Sequence, residues 1–359
     1  MFAAAFLEGE RVMIDLRSDT VTLPTEEMLE AMRYARVGDD ILREDLSVKE
    51  LEKLAAEIMG KEAALFTVSG TMSNQIAVMT LTERGEEIIV GDKSHIFNLE
   101  VGGVAALSQV QVHPVDFRDG KFGNQELEKY IRPYGVQSPR SSLLCLENTY
   151  DLNRGIAISK EQIEIVSAFA HENNMNVYMD GARIFNAAQK LQIEVSQLCK
   201  PVDAVQFCLT KGLCAPFGAV LAGSNEFVEK ARWFKQRLGG GFRQAGYMAA
   251  VASVALQKAT EQVEEDNRKA EHLASLLLEK HHDLLEWLPN QTNIIKIDIS
   301  VFGCDEKRFL QQLERDGILI KPLGSGAFRL VCHKDIQWSD LKKISEKICC
   351  NLQEINHKI

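Results

Sequence analysis

The chain has 359 residues, of which 45% are hydrophobic and 26% are charged, and its formal net charge at pH 7 is −10. This length favours two domains over one simple core, and the composition is ordinary for a soluble globular protein. Because the balance is acidic and the basic residues are scattered, the sequence argues against nucleic acid and anionic membranes as partners.

Helical and strand patterns alternate along the first two thirds of the chain. Residues 1–12, which precede Met13, are predicted to be a non-structural extension. Periodicity predicts helices at 24–34, 47–60 and from about 70 to 82, and further helices at 94–107, 124–132, 160–174 and 184–190. Short apolar runs predict seven strands, at 63–68, 87–91, 110–115, 143–147, 176–180, 203–209 and 217–223.

Nearly continuous apolar strands that alternate with helices predict an α/β fold, with a mostly parallel seven-stranded sheet covered on both faces. A glycine run at 239–241 ends this pattern, and a long helix is predicted at about 244–280. The order that follows is strand, helix, strand, strand and helix, which is typical of a smaller α+β domain. We expect a large domain over residues 13–255 and a small C-terminal domain over residues 256–359.

Two polar residues stand where predicted parallel strands end. Asp180 closes one apolar run, and Lys211 follows another. Ligands of open parallel sheets bind beyond the carboxyl ends of the strands, so both side chains are expected at one site. The pair suits pyridoxal phosphate (PLP), because a lysine amine forms a Schiff base with its aldehyde and a carboxylate keeps its pyridine nitrogen protonated. The pattern therefore predicts an enzyme of amino-acid chemistry.

Two features nearer the N-terminus fit the same site. The turn Ser-Gly-Thr-Met-Ser-Asn at 69–74 leads from a strand into a helix, where N–H groups and hydroxyls can bind a phosphate. His95 begins a helical stretch after a strand, where an imidazole could stack on a cofactor ring. Taken alone, each feature is explained better by an ordinary capped helix start.

Asp180 and Lys211 also have structural interpretations. Asp180 can pair with Arg183 or cap the helix that follows it, and Lys211 can be a surface lysine. The small and apolar residues at 212–218 argue against a solvent-facing loop. No spacing of histidine and cysteine typical of a metal site occurs, so no metal is predicted.

Taken together, these segments resemble the low-specificity L-threonine aldolases, of the aromatic amino acid β-eliminating lyase/threonine aldolase family. The resemblance extends from residue 13 to about residue 345. The segments that carry it are 15–22 (Asp-Leu-Arg-Ser-Asp-Thr-Val-Thr), 37–40, 60–66, 69–72, 180–186, the Lys211 segment and 238–246. It implies the PLP-dependent fold-type I architecture, with active sites at the interface of a homodimer that is usually part of a homotetramer.

The resemblance implies how the cofactor is held. Lys211 would carry PLP covalently, Asp180 would contact the pyridine nitrogen, and His95 would stack on the ring. Gly70 and Thr71 would bind the phosphate.

Other side chains would act on the phosphate or the substrate. Arg243 of a neighbouring subunit would help to bind the phosphate, and Arg183 would contact the phenolic oxygen of the ring or the substrate. Ser18 and Arg329 would hold the substrate carboxylate, a task that suits the bidentate geometry of arginine. The implied reaction cleaves the Cα–Cβ bond of L-threonine, L-allo-threonine or a related β-hydroxy-α-amino acid, to give glycine and an aldehyde.

Three positions depart from the family pattern. Leu42 stands where the family usually has an active-site tyrosine, Gln137 where it usually has a histidine near the β-substituent, and Tyr150 where it usually has another histidine. Glutamine cannot act as a base at neutral pH. A second hypothesis is therefore a PLP enzyme that catalyses β-elimination, racemisation or transamination. A third is a non-catalytic regulator on the same fold, which the intact lysine and aspartate argue against.

The cysteines bear on the compartment. There are eight, most of them inside apolar runs and none in a CxxC pair. This usage predicts free buried thiols in a reducing cytoplasm. No run approaches the ~20 apolar residues that span a bilayer, so no membrane association is expected.

Overall fold

The computed structural model describes residues 13–117, 120, 122–132 and 135–356, without the side chains of residue 260 and of residues 353–356. The predicted extension at 1–12 lies outside the described residues. The strands are β1 (Ile14–Asp15), β2 (Ala63–Thr67), β3 (Glu87–Gly91), β4 (Gln111–Val115), β5 (Ser141–Glu147), β6 (Asn176–Asp180), β7 (Ala204–Cys208), β8 (Ala219–Gly223), β9 (Ile294–Asp298), β10 (Ile318–Leu319), β11 (Lys321–Gly324) and β12 (Ala327–Val331).

The helices follow the predicted positions closely in most cases. They are α1 (Glu26–Arg33), α2 (Leu46–Met59), α3 (Gly70–Leu81), α4 (His95–Asn98), α5 (Asn124–Glu128), α6 (Lys160–Glu172), α7 (Ile184–Leu191), α8 (Val195–Cys199), α9 (Asn225–Arg237), α10 (Gly246–Gln257), α11 (Ala259–Leu278), α12 (Glu306–Arg315) and α13 (Trp338–Asn356). Among the described residues, no helix combines the length and the apolar composition needed to cross a membrane.

Seven strands form the central sheet, in the order β2-β8-β7-β6-β5-β3-β4. The five strands β7, β6, β5, β3 and β4 are parallel to one another, whereas β8 runs antiparallel to both β7 and β2. The prediction of a mostly parallel seven-stranded sheet is confirmed. Glu147 of β5 is in register with Asp180 of β6, and Asp180 is in register with Gln206 of β7. Side chains of three neighbouring strands therefore meet at one edge.

Successive residues of the buried strands point to opposite faces of the sheet, and each face has its own hydrophobic cluster. In β3, Ile88 and Val90 pack in the cluster that includes residues of α3 and α9. Ile89 packs in the other cluster, which includes residues of α2, α6 and α10. The sheet is thus covered on both faces, as its continuous apolar strands predict.

A third hydrophobic cluster lies in the C-terminal part of the chain. There β9, β11 and β12 form an antiparallel sheet in the order β11-β12-β9, and β1 pairs in parallel with β10. One face of the three-stranded sheet packs against α11, α12 and α13. The residues of that face include Ile295, Ile297, Phe328 and Leu330. The division into domains at residues 255 and 256 stays a prediction.

Two predicted helices are interrupted. The helix expected at 244–280 is divided at Lys258 into α10, which packs on α1 and α2, and α11, which packs on α7 and α13. The chain turns there because the surface that it covers changes. The stretch at 94–107 is helical only in α4 and in a π-helical segment, Val104–Ser108, because Val101 and Gly102 have positive φ values of 54° and 67°. This break turns Glu100 inward, where it is 5% exposed.

Candidate active site

Asp180 lies at the carboxyl end of β6 and is 4% exposed. One carboxylate oxygen accepts hydrogen bonds from the Gln206 amide and, at 3.0 Å, from the backbone N–H of Ala182. The other accepts from Nδ2 of Asn74 at 2.8 Å. All three donors are neutral, and no cationic side chain of the described residues, Arg183 included, forms an ion pair with Asp180. A buried carboxylate without a cation is costly, so this setting favours a ligand that brings a cationic group.

A hydrogen-bonded network orients the groups around Asp180. The Tyr178 hydroxyl donates to Oδ1 of Asn74 at 2.6 Å, so the Asn74 amide can donate both to Asp180 and, at 2.6 Å, to Glu100. Oε1 of Glu100 also lies 2.9 Å from Nδ1 of His95. A ring nitrogen of His95 and one oxygen each of Glu100 and Asp180 lie within 4.8 Å of one another. The network therefore holds His95 beside Asp180.

Lys211 follows β7 on a partly buried loop at the same edge of the sheet. In the described part of the chain, its Nζ atom has no hydrogen-bond or ion-pair partner. The next residue, Gly212, packs tightly, because a Cβ there would lie 3.1 Å from Cγ1 of Val263 and 3.3 Å from Oδ1 of Asn186. The loop is thus held between α7 and α11, which does not support the interpretation of Lys211 as a surface lysine.

The start of α3 is both a capped helix and a potential anion site. Ser69 is the N-cap, and its Oγ accepts a hydrogen bond from the Met72 N–H at 3.1 Å. The N–H groups of Gly70 and Thr71 form no hydrogen bond with any described residue, so they remain available to an anion. Gly70 is also required sterically, because a Cβ there would lie 2.8 Å from Sγ of Cys208 in β7.

Arg183 pairs with Asp19, which the turn after β1 brings into the site. Its Nε and Nη2 atoms donate to the two oxygens of Asp19 at 2.7 and 2.6 Å. Asp19 is fully buried. Burial alone would raise the pKa of Asp19, but the charge and hydrogen bonds of Arg183, with the charge of Lys211, lower it to about 2. Ser18 caps the same turn, since its Oγ accepts from the Thr20 N–H at 3.3 Å.

Arg329 is a buried cation that no carboxylate of the described residues pairs with. Its guanidinium donates to the carbonyl oxygens of Leu152 at 2.9 Å and Arg17 at 3.1 Å, and its buried Nε atom has no partner. Burial and the nearby charge of Arg183 lower the pKa of Arg329 to about 10. An anionic ligand would relieve both effects.

Glu147 is a buried acid beside Asp180. Its Oε2 atom accepts a hydrogen bond from the backbone N–H of His95 at 2.6 Å, while its Oε1 atom is buried without a partner. Burial and the charge of Asp180 raise the pKa of Glu147 well above its ordinary value. Through this hydrogen bond the Glu147 carboxyl fixes the start of α4.

The family model described as beta-eliminating lyase matches residues 15–300. The chain belongs to the beta-eliminating lyase family. Low-specificity L-threonine aldolase 1 of Arabidopsis thaliana is 41% identical to it over 335 residues, which cover 91% of this chain and 93% of that protein. The low specificity L-threonine aldolase of Escherichia coli (strain K12) is 36% identical, over 93% of this chain and 97% of that protein. The resemblance found in the sequence is confirmed.

Solved structures agree on the fold of this beta-eliminating lyase family member. A threonine aldolase of Leishmania major superposes with a TM-score of 0.81 at 19% identity, over 94% of this chain and 99% of that one. A serine palmitoyltransferase of Sphingomonas wittichii gives a TM-score of 0.71 at 17% identity, over 96% of this chain and 88% of that one. At these identities the likeness concerns the fold alone, and it confirms the fold-type I expectation.

Tyr150, one of the three positions that depart from the family pattern, belongs to the hydrophobic core. It is 1% exposed, and its ring centroid lies 6.0 Å from that of Phe117. Its hydroxyl donates to Oδ1 of Asp92 at 3.0 Å and lies 3.4 Å from the Lys93 nitrogen. Tyr150 therefore supports the turn that precedes His95.

Leu42, Gln137 and Arg243 are all on the surface. Leu42 is 66% exposed, and the Arg243 side chain is 63% exposed and pairs with Asp39 at 3.4 Å. Gln137 is exposed before the amino end of β5, and β5 spans roughly 20 Å between that end and Glu147. Gln137 thus lies at the opposite edge of the sheet from Lys211, and it could reach substrate only in the site of another copy.

PLP fits the groups that remain unsatisfied in this site. Among the described residues, Asp180 has no cationic partner, the Lys211 amine has no partner, and two N–H groups at the start of α3 have no acceptor. A pyridinium nitrogen, an aldehyde carbon and a phosphate are three groups of one cofactor that match these needs. The individual assignments of the site residues stay predictions.

Sequence reasoning missed three residues that organise the site, Asp19, Glu100 and Gln206. It placed Glu147 at a ligand-binding strand end and Asn74 in the strand-to-helix turn, but gave neither a role of its own. Gln206 had a detectable signal, because it is a polar residue in the middle of the apolar run 203–209. Glu147 similarly ends an apolar strand. Glu100 and Asn74 had no such signal, since a polar residue in a helical stretch is normally solvated.

Proposed function

We propose that this protein is a PLP-dependent carbon–carbon lyase that cleaves L-threonine, L-allo-threonine or a related β-hydroxy-α-amino acid into glycine and an aldehyde. The observation that carries the proposal is the buried Asp180 carboxylate, which has only neutral donors and lies at the same sheet edge as the unpaired Lys211 amine. Relatives that are named low-specificity L-threonine aldolases over nearly their whole length support the choice of reaction.

We assign the cofactor-holding residues as follows. Asp180 would hold the pyridine nitrogen, and Lys211 would hold the aldehyde group. Gly70 and Thr71 donate backbone N–H groups to the phosphate, where Arg243 of a second copy adds its charge. Bound PLP supplies an electron sink that stabilises negative charge at Cα.

The substrate is oriented by its carboxylate. Ser18 and Arg329 would bind that group and fix the orientation of the Cα–Cβ bond. Asp19 holds Arg183 in place beside this clamp. His95 would stack on the cofactor, and with Nδ1 held by Glu100 its Nε2 atom would accept the proton of the β-hydroxyl.

We also propose a cytoplasmic homodimer or homotetramer with active sites at the dimer interface. Large apolar side chains that are exposed on the single chain support an interface: Tyr34 at 69%, Leu42 at 66%, Trp233 at 75% and Phe242 at 45%. The eight cysteines are all free thiols, which suits a reducing compartment. Light scattering on the purified chain measures the assembly directly.

Product analysis tests the proposed reaction. PLP-loaded protein is incubated with L-threonine or L-allo-threonine, and acetaldehyde and glycine are measured together. We expect equal amounts of both, and loss of both products and of the cofactor absorbance in Lys211→Ala. Lys200→Ala, at an exposed position after α8, is the matched control. A keto acid formed without glycine would refute aldol cleavage and establish β-elimination or transamination instead.

A further inference from the structure

Three cations form a row across the C-terminal sheet. Lys321 of β11 is in register with Arg329 of β12, which is in register with Lys296 of β9. Directly opposed residues of antiparallel strands place their side chains on the same face, and like charges in such positions repel one another. The opposite face carries the apolar residues of the C-terminal cluster. The face of the C-terminal sheet that bears these three cations is therefore the face on which Arg329 contributes to the site.

The two ends of this row differ in their surroundings. Lys296 lines a cavity of about 420 Å³ that also contains the carboxylates of Asp151 and Asp298. Lys321 is partly buried, and in the described ranges its Nζ atom has no hydrogen bond and no ion pair. Burial, then the charges of Arg329 and Arg183, lower the pKa of Lys321. The register of β11 and β12 places this amine on the same face of the sheet as the Arg329 guanidinium, directly beside it.

The carboxylate of Asp19 does not balance the positive charges of Arg183, Arg329 and Lys321. Both oxygens of Asp19 are engaged by Arg183, and Arg329 bonds only to backbone carbonyl oxygens. The α-carboxylate of a substrate at Arg329 would supply one negative charge, which leaves the charge of Lys321 unmatched. A substrate with a second anionic group would pair with it.

We propose that Lys321 forms a second anion subsite beside Arg329 and that the preferred substrates carry a carboxylate on the β-carbon, as in 3-hydroxyaspartate. This inference rests on the proposed aldol cleavage. In that reaction the Cα–Cβ bond breaks, the β-hydroxyl loses its proton as the carbonyl forms, and Cα takes up a proton. The products are glyoxylate and glycine, and no oxidant or reductant is needed.

A matched pair of substrates isolates the charge. 3-Hydroxyaspartate and 3-hydroxyasparagine have nearly the same shape, but only the first has a β-carboxylate. With the PLP-loaded full chain and both diastereomers, we expect kcat/KM to favour the acid by about tenfold or more. Lys321→Gln should remove this preference and Lys321→Arg should keep it. Lys307→Gln, at an exposed position on α12, should leave the ratio unchanged.

Equilibrium binding separates this inference from the proposed function. L-Aspartate and L-asparagine have no β-hydroxyl, so their dissociation constants report recognition without cleavage. Tighter binding of aspartate that disappears in Lys321→Gln supports the subsite, even if no β-hydroxy amino acid is cleaved and the proposed reaction fails. Cleavage of threonine combined with an acid-to-amide ratio that Lys321→Gln does not change overturns the subsite and leaves the proposed reaction intact.

Discussion

Replacing Asp19 by asparagine tests the buried ion pair that holds Arg183. The pKa of Asp19 falls from 3.8 to about 2, a difference of roughly 1.8, which corresponds to roughly 2.5 kcal/mol of stability at neutral pH. Breaking a buried pair from one side typically costs about 3–5 kcal/mol, because the remaining charge is left uncompensated. We therefore expect Asp19→Asn to lower the free energy of unfolding by about 3 kcal/mol at pH 7.

The pH dependence of this effect has a defined sign. Because the folded pKa of Asp19 lies below its unfolded value, the stability that the carboxylate contributes is complete above about pH 5 and is lost as the pH falls toward 2. The difference between the thermal midpoints of the wild type and of Asp19→Asn should therefore begin to shrink below pH 5 and be largely lost near pH 2.

An exposed ion pair of the same region provides the control. Asp15→Asn removes the partner of Arg17, whose side chain is 52% exposed, and should cost less than about 1 kcal/mol. The reasoning is refuted if Asp19→Asn at pH 7 is no more destabilising than Asp15→Asn. It is equally refuted if the difference between Asp19→Asn and the wild type is the same at pH 7 and at pH 3.5.

Three further substitutions probe buried polar groups. Burial and Asp180 raise the pKa of Glu147, so its carboxyl costs stability as the pH rises above about 4, and Glu147→Gln should raise the thermal midpoint more at pH 8 than at pH 4.5. Asp266 is fully buried with an unpartnered Oδ2 atom, and burial raises its pKa well above the ordinary value. Asp266→Asn should therefore show the same trend, and a larger gain at pH 4.5 than at pH 8 would contradict either prediction. Tyr150→Phe should cost about 1 kcal/mol and speed amide hydrogen exchange at Lys93, whereas unchanged exchange would show that the hydroxyl does not hold that turn.

The central sheet and the positions of Asp180 and Lys211 could be predicted from the sequence because each rests on a local pattern. An apolar run of five to seven residues that ends in a charged side chain is costly unless that side chain has a partner, which marks Asp180 as a site residue. Parallel strands place such ends at one edge. The same rule places Glu147, which also ends an apolar strand, at this edge.

Contacts between distant parts of the chain could not be predicted in this way. Asp19 and Arg183 are 164 positions apart, and neither sequence neighbourhood specifies the other. The inward turn of Glu100 depends on positive φ values at Val101 and Gly102, of which only the glycine has a sequence signal. Gln137 precedes the amino end of β5, and the direction of that strand puts it far from Lys211 within one chain. Matching it to a family motif identified the corresponding position in the sequence but not its location in the fold.

The unpaired charges of the site point to one kind of ligand. At one end Asp180 is a buried anion without a cation, and at the other Arg329 and Lys321 are cations without an anion in the described residues. Leaving either end unsatisfied is unfavourable, and the two ends belong to different sheets. A bound molecule that is cationic at a ring nitrogen and anionic at its far end satisfies both. PLP linked to an amino acid has that distribution of charge, and a second carboxylate on the amino acid would improve the match at Lys321.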